Sequence, residues 1–212
     1  IMDSIYFGWI HSYNDIRWNQ ILHGITNSSN DTINICDLQM KRNDKRLDDL
    51  INAITSRTNL KTLYIGGISK KVRVRAHIAK LLVNTLTDLR LDHCNFNDRK
   101  FSQIIKYLPE SLIHLSLQSN KIKRLLHLPS HIYSLYISRN PLKIIYSLSS
   151  IINLVMDSIT IDENLCNRIC KLLTMSNCRV EKLIMNSVVC NNQSLLVRFY
   201  QVCTLNLNIK EI

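Results

Sequence analysis

The sequence predicts a repetitive α/β architecture, in which short strands stack side by side over a shared core and helices or extended segments return the chain behind them. Three observations predict it. One pattern recurs as Leu86-x-x-Leu89-x-Leu91-x-x-Cys94-x-Phe96, Leu112-x-x-Leu115-x-Leu117-x-x-Asn120-x-Ile122 and Ile132-x-x-Leu135-x-Ile137-x-x-Asn140-x-Leu142. Its apolar positions four and six share one face of a strand, because successive side chains alternate. Between several copies, apolar residues fall at helical spacing. Finally, 46% of the 212 residues are hydrophobic while Gly (4) and Pro (3) are scarce, which allows one continuous core and marks no linker.

The elements follow in order. Trp18, Ile21, Leu22 and Ile25 lie at helical spacing with Asn14 placed to cap the start, behind the apolar Ile5, Tyr6, Phe7 and Trp9. Residues 1–29 therefore read as an N-terminal helical cap, and residues 30–212 as about eight repeats of a single domain. Position four falls at Ile33, Leu63, Leu89, Leu115, Leu135, Leu154, Leu183 and Leu205. The first copy has Asn30 at position one, and the last, Val202-x-x-Leu205-x-Leu207, runs out at Ile212. Leu63 to Leu89 and Leu89 to Leu115 are each 26 residues, and Leu154 to Leu183 is 29. These long units hold predicted helices at Val74–Leu82, Phe101–Leu108 and Leu165–Leu173; Leu47, Leu50, Ile51 and Ile54 predict another after Asn43 or Asp44, and Leu195, Leu196 and Phe199 a last one. Leu115 to Leu135 is 20 and Leu135 to Leu154 is 19, too short for a strand, two turns and a stable helix. The copies at Leu154 and Leu183 carry Ile159 and Val188 at position nine, so their turns need another way to satisfy buried backbone groups.

The pattern resembles the leucine-rich repeat family, L-x-x-L-x-L-x-x-N/C-x-L. The long units are similar to the ribonuclease-inhibitor type. Leu108-Pro109-Glu110-Ser111-Leu112 and Leu128-Pro129-Ser130-His131-Ile132, each leading into a strand, are similar to the short type of bacterial effector proteins. The resemblance implies a solenoid with a curved parallel sheet on its concave face, helices on the convex face of the long repeats, and a flatter centre around residues 112–160. It also implies a protein-binding module without catalysis. About 30 residues precede the first repeat, few for an F-box-like hook, although an adaptor in a ubiquitin ligase complex remains an alternative role.

Positions three, five and seven should face outward. Reading across the copies places Tyr64, Arg90 and Tyr136 at position five, Asp92, Gln118 and Asp157 at position seven, and Arg139 at position eight; these seven are the expected partner-binding residues. Lys+Arg 27 against Asp+Glu 16 gives +11, and the densest basic run is Lys70, Lys71, Arg73 and Arg75. With Lys41-Arg42, Lys45-Arg46 and Lys121, Lys123 and Arg124 at equivalent places, it could form an edge that holds phosphate groups. No aromatics interleave with it as base stacking requires, so nucleic acid is the secondary reading. No Gly-rich phosphate loop, metal-ligand spacing or nucleophile elbow occurs, so no cofactor, metal or catalytic residue is expected. His114 has no convergent carboxylate in the sequence pattern, and Cys166-x-x-x-Cys170 reads as helix packing rather than a zinc site. Seven Cys without paired spacing, no secretory n-region and no long apolar stretch point to an intracellular, cytoplasmic chain without a membrane span. Abundant Ile, Asn and Lys fit an AT-rich genome, including large DNA viruses, and hence a pathogen factor engaging a host protein. Leu205 to Ile212 reads as an uncapped strand whose open edge favours a monomer that dimerises weakly.

Overall fold

In the computed structural model, residues 15–36, 46–67 and 82–205 are described. Among them the chain is α/β, with seven parallel strands in one sheet, a two-stranded parallel sheet, and five α-helices. The order is α1 (Asp15–Asn27), β1 (Thr32–Cys36), α2 (Arg46–Thr55), β2 (Thr62–Gly66), β3 (Asp88–Arg90), α3 (Asp98–Ile104), β4 (His114–Ser116), β5 (Arg124–Leu125), β6 (Ser134–Tyr136), β7 (Ile144–Ile145), β8 (Asn153–Val155), α4 (Glu163–Leu173), β9 (Lys182–Ile184) and α5 (Gln193–Leu205). The large sheet runs β1-β2-β3-β4-β6-β8-β9, and β5 pairs with β7.

Register follows the sequence pattern. Ile33, Leu63, Leu89, Leu115, Leu135, Leu154 and Leu183 sit directly opposite one another, and all seven are fully buried. Each such side chain contributes about 1.5–3 kcal/mol of burial, so the row forms the spine of the core. Ile35, Ile65, Leu91, Leu117, Ile137 and Met156 at position six form a second buried row beside it. Beyond the short strands, the backbone pairing continues. Leu91, Leu117, Ile137 and Met156 each donate their N–H to the position-five carbonyl of the next copy, at 2.8–2.9 Å.

The position-nine side chains close the turns from inside. Asn120 Nδ2 donates to the carbonyls of Leu91, Leu117 and Gln118, while its Oδ1 accepts from the Phe96 N–H. Asn140 repeats this one unit on, with donations to Leu117, Ile137 and Ser138 and acceptance from Ile122 N–H. Cys94 reaches Ile65 and Asp92 carbonyls with its thiol. Where Ile159 and Val188 replace the amide, backbone takes over: Val189 N–H donates to Ile159 C=O and Ile161 N–H to Val189 C=O, both at 2.9 Å.

Position eight is left-handed in six copies, at Gly67, His93, Ser119, Arg139, Ser158 and Ser187, with φ between 53° and 66°. Only one of the six is Gly, although a side chain there costs about 1–2 kcal/mol. The conformation persists because the N–H it aims donates to the position-seven carbonyl of the next copy, for example His93 to Gln118 and Arg139 to Asp157.

The predicted helices appear with caps the spacing had not identified. Asn97 Oδ1 accepts from Lys100 N–H to start α3, and Asp162 Oδ1 accepts from Leu165 N–H to start α4. No helix lies between Leu125 and Ser150, where β5 and β7 make the return instead. At the N-terminal end, the buried Arg57 donates to the carbonyls of Ile25 and Asn30 and to Asn59 Oδ1. Ile25 belongs to the last turn of α1, whose carbonyls lack helical partners, so one guanidinium ties α1 to the body behind it.

One expected element is different. Leu205 is not the position-four residue of a strand but the last residue of α5, and 78% exposed. The i, i+3 and i+4 relations among Leu195, Phe199, Val202 and Cys203 continue the helix through the segment where a strand template also fits. The expected strand edge at Asn206–Ile212, the expected helix Val74–Leu82 up to Leu81 and the caps at Asn14, Asn43 and Asp44 fall outside the described residues; Leu82 is buried and not helical.

Candidate functional site on the sheet face

Opposite the buried rows, strands β3, β4 and β6 present a depression of about 260 Å³. Arg90, Ser116 and Tyr136 occupy one row across it, directly opposite one another in register. Strands lie about 4.8 Å apart, so the large side chains of Arg90 and Tyr136 stand about 10 Å apart with a serine between them. Ser116 is only 4% exposed and lies low, because its hydroxyl donates to Asp92 Oδ1 at 2.7 Å. The notch therefore arises from two large residues flanking a small one that is held down from the preceding copy.

Asp88 and His114 form the neighbouring wall. They are register partners on β3 and β4, two residues before Arg90 and Ser116. The sequence pattern places no carboxylate convergent on His114, but the shared position three brings Asp88 alongside it. Asp88 Oδ2 accepts from the Thr87 hydroxyl at 2.7 Å. Ser116 donates to Asp92 rather than to His114, so the notch assembles no paired nucleophile and base. Its lining offers a guanidinium, a phenol and an imidazole beside one carboxylate.

The other expected partner residues divide by role. Tyr136 is 36% exposed and Arg90 and Arg139 are exposed, so these three are accessible. Tyr64 is half-buried and lies along the sheet, its hydroxyl over Gly66 at 2.7 Å from where a Cβ would stand. Asp92 is only 8% exposed, and its Oδ1 accepts from both Ser116 Oγ and Gln118 N–H. Its Oδ1 is thereby engaged with the neighbouring copy, which shapes the face. Asp157 similarly accepts from Asn186 N–H at 2.7 Å, and Ser138 Oγ from Asp157 N–H at 2.9 Å. At position seven, Asp92, Ser138 and Asp157 thus each cap a backbone N–H just past the strand end of the following copy, which outward alternation alone does not reveal. Gln118 is half-buried, with Nε2 3.3 Å from Ser116 Oγ.

Of the expected basic edge, Lys70, Lys71, Arg73 and Arg75 lie outside the described residues, as do Lys41, Arg42 and Lys45. Arg124 pairs with Asp98 at 3.1 Å, and that contact with the Lys123 and Arg124 N–H groups holds the Asp98 carboxyl below its ordinary pKa despite partial burial. Arg46 lies 6.0 Å from the Trp18 ring, where it covers the N-terminal helix. Cys166 and Cys170 have their sulfurs 4.0 Å apart between α4 and α5, and among the described residues no group of three His, Cys, Asp or Glu is placed to hold a metal ion. Cys94, Cys166, Cys170, Cys178, Cys190 and Cys203 form no disulfide. Among the described residues no helix is long and apolar enough to cross a membrane. No protein-family model matches the chain, and no curated protein matches it.

Proposed function

We propose that the chain is a leucine-rich repeat solenoid that binds a partner protein on the concave face of its seven-stranded sheet and performs no catalysis. The observation that carries this reading is the Arg90–Ser116–Tyr136 notch: two residue types favoured as interface anchors flank a depression on an otherwise polar, regular face. The in-register apolar rows and the Asn120 and Asn140 bonding support the repeat assignment, with helix-backed units like the ribonuclease-inhibitor type flanking two short, effector-like ones. In this reading α1 is the cap over the N-terminal core end. Cysteines that form no disulfide and the Ile-, Asn- and Lys-rich composition support a cytoplasmic protein, such as a viral or other pathogen factor directed at a host protein.

The test is affinity capture by the immobilised chain from cell lysate, with the bound protein identified by mass spectrometry and its affinity then measured with purified material. Arg90→Ala and Tyr136→Ala should each weaken binding about tenfold or more without lowering stability, because both sites are exposed. Joint replacement of Lys70, Lys71, Arg73 and Arg75 should weaken it less. The opposite order, together with a steep loss of binding on adding salt, would favour a phosphate-directed edge instead.

A further inference from the structure

Behind the sheet lies a second cavity, of about 290 Å³, between the segment after β7 and the last turns of α4. Arg168 and Lys171 line it from one helix face, being three residues apart. Arg168 is fixed there: its Nε donates to Ile145 C=O at 2.8 Å and its Nη2 to Tyr146 C=O at 3.2 Å. Those acceptors are neutral, so the guanidinium charge is left uncompensated. Lys171 is exposed, and no Asp or Glu is among the lining residues. The helix C-terminus, whose partial negative charge would repel an anion, is covered: Thr174 Oγ1 donates to the Cys170 and Lys171 carbonyls at 3.0 and 3.1 Å. The hydroxyls of Ser147 and Ser149, 3.0 Å from each other, add donors on the opposite side.

Beside the aliphatic Leu148 and Leu172, part of the remaining lining is flat and polarisable. The Tyr146 ring stands 5.8 Å from His127, and Met175, 43% exposed, completes the rim. Thioether–ring and ring–ring contacts favour an unsaturated ring over an aliphatic body. Cavities that hold small molecules run from about 300 Å³ upward, so this one is of a size for a single ring. We propose that this cavity binds a small single-ring organic anion, with its oxyanion group at Arg168, Lys171 and the serine hydroxyls and its ring against Tyr146 and Met175. The site is separate from the sheet face and does not depend on a protein partner binding there.

The experiment is a titration of the full chain, labelled at methionine methyls, with phenyl phosphate, benzoate, benzyl alcohol and inorganic phosphate, followed by NMR. At least one of the two ring anions should shift the Met175 methyl saturably below about 10 mM, while benzyl alcohol and inorganic phosphate should each bind at least about tenfold more weakly. Phenyl phosphate binding alone identifies phosphate monoesters as the source of the anion, and benzoate alone identifies carboxylates. Lys171→Met should weaken the ring anion by about fivefold or more with an unchanged melting curve, whereas Lys121→Met, far along the chain, should not. The proposal is overturned if no saturable shift occurs, if either the neutral ring or bare phosphate binds as well as the ring anion, or if the two lysine variants behave alike.

Discussion

Replacing Asn140 by Ala tests the turn chemistry most directly. The side chain is 2% exposed and makes four contacts. Two of its partners have a second donor: Leu117 C=O keeps Asn120 Nδ2, and Ser138 C=O keeps Ser119 N–H. The other two, Ile122 N–H and Ile137 C=O, are stranded. A buried polar group left without a partner costs about 1–3 kcal/mol, so Asn140→Ala should destabilise the chain by about 2–6 kcal/mol, a large part of the roughly 5–15 kcal/mol that typically holds a domain together. For a chain of this size each kcal/mol lowers the melting temperature by about 2–4 °C, so a drop on the order of 10 °C is expected. Urea unfolding followed by circular dichroism measures it, with Asn177→Ala, at an exposed position, as the control that should stay within about 0.5 kcal/mol. A loss below about 1 kcal/mol with an unchanged denaturant slope would refute the argument, because it would mean that water replaces the amide inside the turn.

Three further outcomes are expected. His93→Gly and Arg139→Gly should each leave stability unchanged or raise it by up to about 1 kcal/mol, since glycine relieves the left-handed strain while loosening the unfolded chain; clear destabilisation in chemical unfolding would count against that strain. Asp92→Ala should cost about 1–3 kcal/mol by stranding Gln118 N–H and freeing Ser116, and should also blunt partner binding although Asp92 is scarcely exposed. Burial, reinforced by the proximity of Cys170, pushes the Cys166 and Cys203 thiols up to about 12, above the ordinary value of about 8.5. The folded state therefore holds protons that the unfolded state releases, so their contribution is complete below pH of about 8.5 and is lost as pH rises toward about 12. Unfolding midpoints measured across that range should fall, and less so in Cys166→Ser or Cys203→Ala; a midpoint constant with pH would contradict the burial.

The spine of the fold was legible because one residue type at one spacing, Leu or Ile at position four, carries it, and the strands pair at that spacing without slippage. Arg90 and Tyr136 were legible for the same reason, as outward residues of the same row. The notch between them was not. Its depth depends on Ser116 being drawn down by Asp92, 24 residues away, and a pattern of apolar positions carries no information about which polar side chain bonds to which. Reading position three across copies would have placed Asp88 beside His114, because that juxtaposition needs only register. Leu205 was misread since a strand repeat and a helix repeat coincide at Val202 and Leu205, three residues apart. The cavity behind the sheet had no sequence signal, as it gathers His127, Tyr146, Arg168 and Met175, none of which is a position of the recurring apolar pattern.

The direction of the position-nine contacts bears on how such a chain can change length. Cys94, Asn120 and Asn140 each reach back to a carbonyl of the preceding unit, Ile65, Leu91 and Leu117 respectively. Each of these three units thus brings its own connector and requires from its predecessor only a backbone carbonyl, which any residue supplies. Whole units can be duplicated or lost without rewriting the joint, provided that the cut keeps phase. Removing Lys121–Asn140, for instance, joins Asn120 to Pro141 and puts Leu142, Ile145 and Leu148 where Ile122, Leu125 and Leu128 stood. A cut displaced by one residue would turn the apolar rows outward. The joint is indifferent to neighbour identity and strict about phase, and the copy number of this pattern is accordingly free to drift in steps of one unit.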